Sequence, residues 1–168
     1  VGQTDNLDSW SASSYRGAKY YISAKETVSG FTSNIECLVV HDGTDAYITA
    51  FNEHDSHTSL VTLTADIVDG NVRLRCQGNV PDVKAKFYRI RLSDSESGST
   101  GTDFSTMATS TVSSSATPID TFVDTSQTGA LYVIVARNAS EGTAEITEAS
   151  VITNGAQAFV AQSNYVSS

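Results

Sequence analysis

Proline, methionine, cysteine and basic side chains are all scarce in this chain. Its 168 residues include two prolines, one methionine and two cysteines, and 10 basic side chains face 19 acidic ones, for a net charge of −9. A surface this acidic repels polyanions, so we expect no binding to bare nucleic acid or to an anionic membrane. No apolar run approaches the roughly 20 residues of a membrane-spanning helix, and we therefore expect a soluble protein.

The two cysteines, Cys37 and Cys76, each fall inside a strand-like run of residues. They fit two interpretations. They are either buried free thiols that act as small apolar side chains, or one inter-strand disulfide that an oxidising compartment would preserve. No Cys-x-x-Cys spacing occurs, which argues against a zinc site and against thioredoxin-like chemistry.

Short alternating runs of apolar and polar residues indicate β-strands throughout. Tyr20, Ile22 and Ala24 alternate with their neighbours at the period of a half-buried strand. A hairpin is predicted over residues 60–76, and a last strand of alternating basic and apolar residues over 84–92. The composition, rich in serine and threonine, suits short strands better than long helices.

The second half of the chain is similar in sequence to the first. Residues 8–48 align without a gap on residues 120–160, with 12 identities in 41 positions. In this alignment Asp42-Gly43 falls on Asn154-Gly155, and both dipeptides accept the positive φ angles of a type I′ hairpin turn. Because an ungapped alignment keeps each turn residue in the same structural place, the pattern predicts a duplicated fold.

These patterns predict an all-β protein built from an antiparallel, jelly-roll-like β-sandwich module that is duplicated, with the second copy truncated. Residues 1–94 form the complete module, residues 95–117 a Ser/Thr-rich linker or edge strand, and residues 118–168 the partial second copy.

The second copy contains only the opening strands of the module, over residues 130–137 and 151–160. Unpaired strand edges are normally paired or covered. Three partners are available for them: the first module, a strand around residues 104–112, or a neighbouring subunit. We hypothesise that another polypeptide completes the sheet and that the chain is an oligomer.

Candidate catalytic and metal-binding residues each have a structural alternative. Residues 52–57, Asn-Glu-His-Asp-Ser-His, gather metal-type ligands, but they also have the composition of a polar loop between strands. His41 is replaced by Thr153 in the second copy, which favours a structural role. The sequence has no P-loop, Rossmann or Gly-x-Ser-x-Gly pattern.

Repeated acidic residues raise the question of paired catalytic carboxylates. Asp8 recurs as Asp120, and Glu36 recurs as Glu148. Two carboxylates could serve glycoside hydrolysis, but each repeated acid belongs to a different copy of the module, which favours turn and capping roles. The sequence therefore predicts no enzyme, and no catalytic, cofactor-binding or metal-binding residue.

Aromatic residues could build a glycan-binding or receptor-binding surface if several were exposed together. Aromatic side chains on strands more often serve core or cross-strand packing. The candidates are Trp10, Tyr15, Tyr20, Tyr21, Tyr47 and Tyr88.

Four segments resemble a module of virion structural and tail-fibre-like proteins of marine tailed phages, especially cyanophages. They are the opening stretch Asp8–Tyr20, the hairpin Val39–Thr44, the hairpin Asp66–Leu74 and the strand Val83–Phe87. The resemblance covers residues 8–92 closely and residues 120–163 less closely. The second copy departs from the module at Gln127-Thr128, in place of Tyr15-Arg16, and at Thr153, in place of His41.

The resemblance implies an oligomeric component of the virion: a fibre, a baseplate or neck element, or a capsid decoration. Its expected partners are other virion proteins and copies of itself, and its expected location is the virion. It implies no cofactor and no catalytic residue. The alternative is a receptor-binding or carbohydrate-binding module at a fibre tip.

Overall fold

A computed structural model describes residues 4–93, 118–121, 129–138 and 140–168. Across these ranges every regular element is a β-strand and there is no helix, which confirms the predicted all-β class. The ten strands are β1 (Thr4–Ser11), β2 (Tyr15–Glu26), β3 (Thr32–His41), β4 (Ala46–Asp55), β5 (Val61–Val68), β6 (Asn71–Gly78), β7 (Val83–Ser93), β8 (Gly129–Asn138), β9 (Thr143–Thr153) and β10 (Ala158–Ser167).

The strands form three antiparallel sheets. The central sheet has the order β4-β3-β2-β7, the N-terminal sheet β1-β6-β5 and the C-terminal sheet β10-β9-β8. The predicted linker over residues 95–117, with its candidate strand over 104–112, lies outside the described residues. Within the described ranges, no helix has the length and apolar character needed to cross a membrane.

Strand β2 follows the predicted alternation. Tyr20, Ile22 and Ala24 are buried, while Tyr21 and Ser23 are exposed on the opposite face. A period of two is the signature of a strand with one face in the core. The buried face meets the N-terminal sheet in a cluster that contains Trp10, Ala18, Tyr20, Ile22, Cys37, Val39, Val72 and Leu74.

The other face of the central sheet is partly covered by the C-terminal sheet. Leu38 and Val40 of β3 pack there against Ala144 and Ile146 of β9, and all four are buried. Strand β3 is therefore buried on both faces over this part, which explains its nearly continuous apolar run.

Close approach of these layers requires glycine at position 17 of β2. A Cβ atom there would lie 2.9 Å from the carbonyl oxygen of Val39 and 3.1 Å from a methyl carbon of Val135. Any larger side chain at this position would push β2 away from β3 or from the C-terminal sheet.

The predicted hairpin turns are present, but the type I′ assignment is wrong for Asp42-Gly43 and Asn154-Gly155. Both connections are four-residue loops, 42–45 and 154–157, in which only the glycine has positive φ, +104° and +87°. The side chain of the first residue of each loop stabilises the turn by accepting backbone hydrogen bonds. Oδ1 of Asp42 accepts backbone N–H bonds from Thr44 and Asp45, both at 2.8 Å.

The loop at Asn154 has the same construction. Its Oδ1 accepts backbone N–H bonds from Ala156 at 3.0 Å and from Gln157 at 2.9 Å. A two-residue turn occurs instead between β5 and β6. Asp69 and Gly70 both have positive φ there, 52° and 71°, as a type I′ turn requires.

A bulge also recurs at equivalent positions of the two halves. Asn52 in β4 and Asn164 in β10 have positive φ, 49° and 55°. The pairing register shifts beside each of them, after Glu36 with Phe51 in one hairpin and after Glu148 with Ser163 in the other.

Candidate functional site

A buried ionic cluster joins the central and C-terminal sheets. Lys19 of β2, whose side chain is 4% exposed, forms ion pairs with Glu36 at 2.8 Å and with Glu148. The amides of Asn52 and Asn164 donate hydrogen bonds to these carboxylates, at 3.2 Å to Glu36 and at 2.6 Å to Glu148. The repeated glutamates thus converge on one lysine, a contact that sequence reasoning missed.

Hydrogen bonds within the cluster stabilise the charged forms of Lys19 and Glu36. Burial alone would lower the pKa of Lys19, but hydrogen bonds to Glu148 and Glu36 outweigh it and raise the pKa above the ordinary value. Burial would raise the pKa of Glu36, yet the bonds from Lys19 and Asn52 keep it below the usual range. A lysine and a glutamate held in their charged forms suit a structural clamp rather than proton transfer.

A second network fixes the repeated aspartate Asp8. The Tyr20 hydroxyl donates to Asp8 at 2.9 Å and accepts a hydrogen bond from the Trp10 indole at 2.8 Å, while Arg89 pairs with the same carboxylate. Burial, reinforced by the Asp8 charge, raises the pKa of Tyr20. Its phenol therefore stays neutral at physiological pH and acts as a structural donor.

The same contact occurs in the C-terminal sheet. The hydroxyl of Tyr132 donates to Asp120 at 2.9 Å, the distance found between Tyr20 and Asp8. Each repeated aspartate therefore anchors the tyrosine twelve positions after it.

His41 is buried at the end of β3. Its Nε2 lies 2.8 Å from the Tyr15 carbonyl oxygen and its ring packs 5.5 Å from Trp10, while the buried Nδ1 has no hydrogen-bond partner. No described carboxylate contacts the imidazole, so it has no partner of the kind that a catalytic dyad or triad requires.

Residues 52–57 are mostly strand and not a loop, which corrects the prediction. Strand β4 continues to Asp55 because β3 offers pairing partners that far, with Ser33 opposite Asp55. Glu53 accepts a hydrogen bond from Ser59 at 2.6 Å, and His57 stacks on Phe31 at 4.5 Å. In the described ranges no three His, Cys, Asp or Glu side chains are grouped to hold a metal ion.

Cys37 and Cys76 are free thiols in this structure. Cys37 is buried, and burial raises its pKa to about 12, whereas Cys76 is half-buried with a pKa raised by burial and by Asp5. A thiol with so high a pKa is a poor nucleophile, which leaves Cys37 as a small apolar core residue.

The candidate aromatics separate into two groups. Trp10 and Tyr20 are buried and Tyr15 and Tyr47 are half-buried, whereas the rings of Tyr21 and Tyr88 are exposed side by side. The last two are 6.2 Å apart and inclined by 39°.

These two rings border an open cleft of about 440 Å³ on the face of the central sheet that points away from the N-terminal sheet. Asn34, His54 and Lys86 also line it, and their side chains form no hydrogen bond or ion pair within the described residues. Aromatic rings beside available polar groups are typical of a small-molecule or glycan site. Only the β2–β7 pairing brings Tyr21 and Tyr88 together.

The C-terminal sheet presents an unusually apolar surface. Five of its large apolar side chains are at least half exposed, and elsewhere in the described chain only Val28 and Tyr88 exceed that exposure. The strand register places Leu131, Ile152 and Phe159 on one face of the sheet and Val160 on the other. Exposed apolar side chains that share a face mark sites of protein contact. The five are Leu131, Ile152, Phe159, Val160 and Tyr165.

A groove of about 420 Å³ opens on the same sheet, lined by Tyr132, Ile134 and Val151. Residues 119–121 line one side of it. The residues aligned with these three in the first half, Tyr20, Ile22 and Val39, are instead buried beneath the N-terminal sheet.

No protein-family model matches the chain, and no curated protein matches it significantly.

Proposed function

We propose that this chain is a non-enzymatic structural protein of a tailed-phage virion, acting through protein–protein contacts. The carrying observation is one face of the C-terminal sheet, where Leu131, Ile152 and Phe159 are 66%, 60% and 50% exposed. Apolar side chains so exposed are stabilised by burial against another protein. The kind of particle is inferred from the resemblance of residues 8–92 to modules of virion proteins.

The proposal includes a duplicated β-sandwich module whose second copy is truncated. Three pairs of features at aligned positions of the two halves support the duplication: the Asp–Tyr hydrogen bonds, the Asx-stabilised loops and the asparagine bulges. Strands β8, β9 and β10 then correspond to β2, β3 and β4. No described strand of the second copy corresponds to β5, β6 or β7, which is why its groove and one edge are open.

Light scattering and electron microscopy of the full chain test this proposal. We expect concentration-dependent assembly into species of defined mass. A combined L131K/I152K/F159K variant should assemble less, because three cations would interrupt this apolar face. Equal assembly by this variant and the wild type would contradict the role given to the C-terminal sheet.

A second candidate function is glycan binding at the Tyr21–Tyr88 cleft. Two exposed rings with amide, imidazole and ammonium groups nearby favour it. A glycan array should then detect binding that Tyr88→Ala abolishes. Tyr165→Ala is the matched control, since Tyr165 is a tyrosine of similar exposure, 54% against 67%, on β10. Absence of any glycan signal with the wild type would remove this candidate.

A further inference from the structure

Strand β8 has an open edge where its counterpart β2 has a partner. Strand β2 pairs with β3 on one side and with β7 on the other, from Tyr15 to Glu26. Strand β8 pairs with β9, and among the described residues nothing pairs with its other edge. That edge presents a row of backbone N–H and C=O groups over the ten residues Gly129–Asn138.

The other described edge strands are protected against pairing with a foreign strand. Strands β1, β4 and β10 each contain an irregularity of register, which twists the edge away. Strand β5 carries Asp66, and β7 carries the four basic residues Lys84, Lys86, Arg89 and Arg91. Charges and bulges are the usual means of blocking edge-to-edge association.

Strand β8 has neither protection over most of its length. Its pairing with β9 is regular, and residues 129–136, Gly-Ala-Leu-Tyr-Val-Ile-Val-Ala, include no charged side chain. Three consecutive β-branched residues, Val133, Ile134 and Val135, occupy its centre. Such residues stabilise cross-strand pairs. A long, regular and uncharged edge strand of this kind pairs readily with a strand of another chain.

We infer that β8 pairs antiparallel with β8 of a second copy of this chain, which joins two C-terminal sheets into one six-stranded sheet. An antiparallel pair of identical strands has two-fold symmetry, the commonest symmetry of protein dimers. With the axis at Val133, Leu131 lies opposite the partner's Val135 and no like charges face each other. This inference rests on the proposed assembly function and identifies one contact through which copies of the chain assemble.

Sedimentation equilibrium of the full chain with two matched variants tests the pairing. Leu131→Lys adds a cation to the β8 edge, whereas Val160→Lys adds one to β10, at the other edge and on the opposite face of the same sheet. The two side chains are similarly exposed, 66% and 68%. We expect a wild-type dimer that Leu131→Lys weakens by roughly tenfold, since two cross-strand pairs are lost per dimer. Val160→Lys should leave the dimer intact.

Hydrogen exchange supplies a second readout. Amides of β8 should exchange more slowly in the wild-type dimer than in the Leu131→Lys variant, while those of β2 should not differ. A dimer weakened equally by both variants would overturn the edge pairing and leave the proposed virion role standing. A wild-type chain that stays monomeric would overturn both the edge pairing and the expected self-assembly, and would leave only assembly with other virion proteins.

Discussion

Lys19 of β2 and Glu148 of β9, 129 positions apart, form an ion pair buried between two sheets. Both side chains are at most 5% exposed. Removing one member of such a pair leaves the other charge buried and uncompensated.

Lys19→Met should therefore destabilise the chain by about 3 kcal/mol. Urea unfolding followed by circular dichroism measures the change. The double variant Lys19→Met/Glu148→Leu should recover part of the loss, because the charge left behind is also removed. A single variant as stable as the wild type would show that the sheets do not depend on this pair.

Alkaline pH should weaken the fold. The pKa values of Lys19 and Tyr20 are both raised by folding, so their stabilising contribution is complete below the unfolded values near 10 and is lost as the pH rises above them. The urea midpoint should be flat from about pH 7 to 9 and then fall. Tyr20→Phe, which cannot ionise there, should show a shallower fall. Identical pH profiles for the two chains would argue against a role for Tyr20.

The two Asx-stabilised loops should respond alike to substitution. Asp42→Ala and Asn154→Ala each remove an acceptor of two backbone N–H bonds and should each lower stability by about 1 kcal/mol. The exchanges Asp42→Asn and Asn154→Asp keep that acceptor and should be nearly neutral. Thermal unfolding of the four variants compares them, and a costly exchange at either site would weaken the equivalence of the loops.

The two halves of the chain should differ in their ability to fold alone. A fragment of residues 1–94 retains two sheets and their shared core, so it should stay folded, although Leu38 and Val40 lose their cover. A fragment of residues 118–168 has one small sheet without a covering layer and should not fold alone. Circular dichroism and proton NMR distinguish these outcomes, and a folded C-terminal fragment would contradict the dependence on a partner.

Much of the local structure could be predicted from the sequence. The period of β2 and the hairpin at Asp69-Gly70 follow from alternation and turn chemistry that act over a few residues. The turn type at Asp42 could not be predicted because the aspartate side chain competes with the backbone for the same N–H groups.

The sites depend on long-range contacts and were largely invisible in the sequence. Nothing local marks Lys19 as the partner of Glu148, since the pair exists only after one sheet packs on another. Tyr21 and Tyr88 were candidates among six aromatics, and the β2–β7 register decides which two meet in the open.

The central proposal, that the chain is a structural part of a virion, is tested most directly by protein mass spectrometry of purified particles of a tailed phage whose genome carries this sequence. We predict that peptides of this chain occur there at a fixed ratio to the other structural proteins and persist through density-gradient purification. Finding the chain only in the particle-free fraction of the lysate would contradict the account.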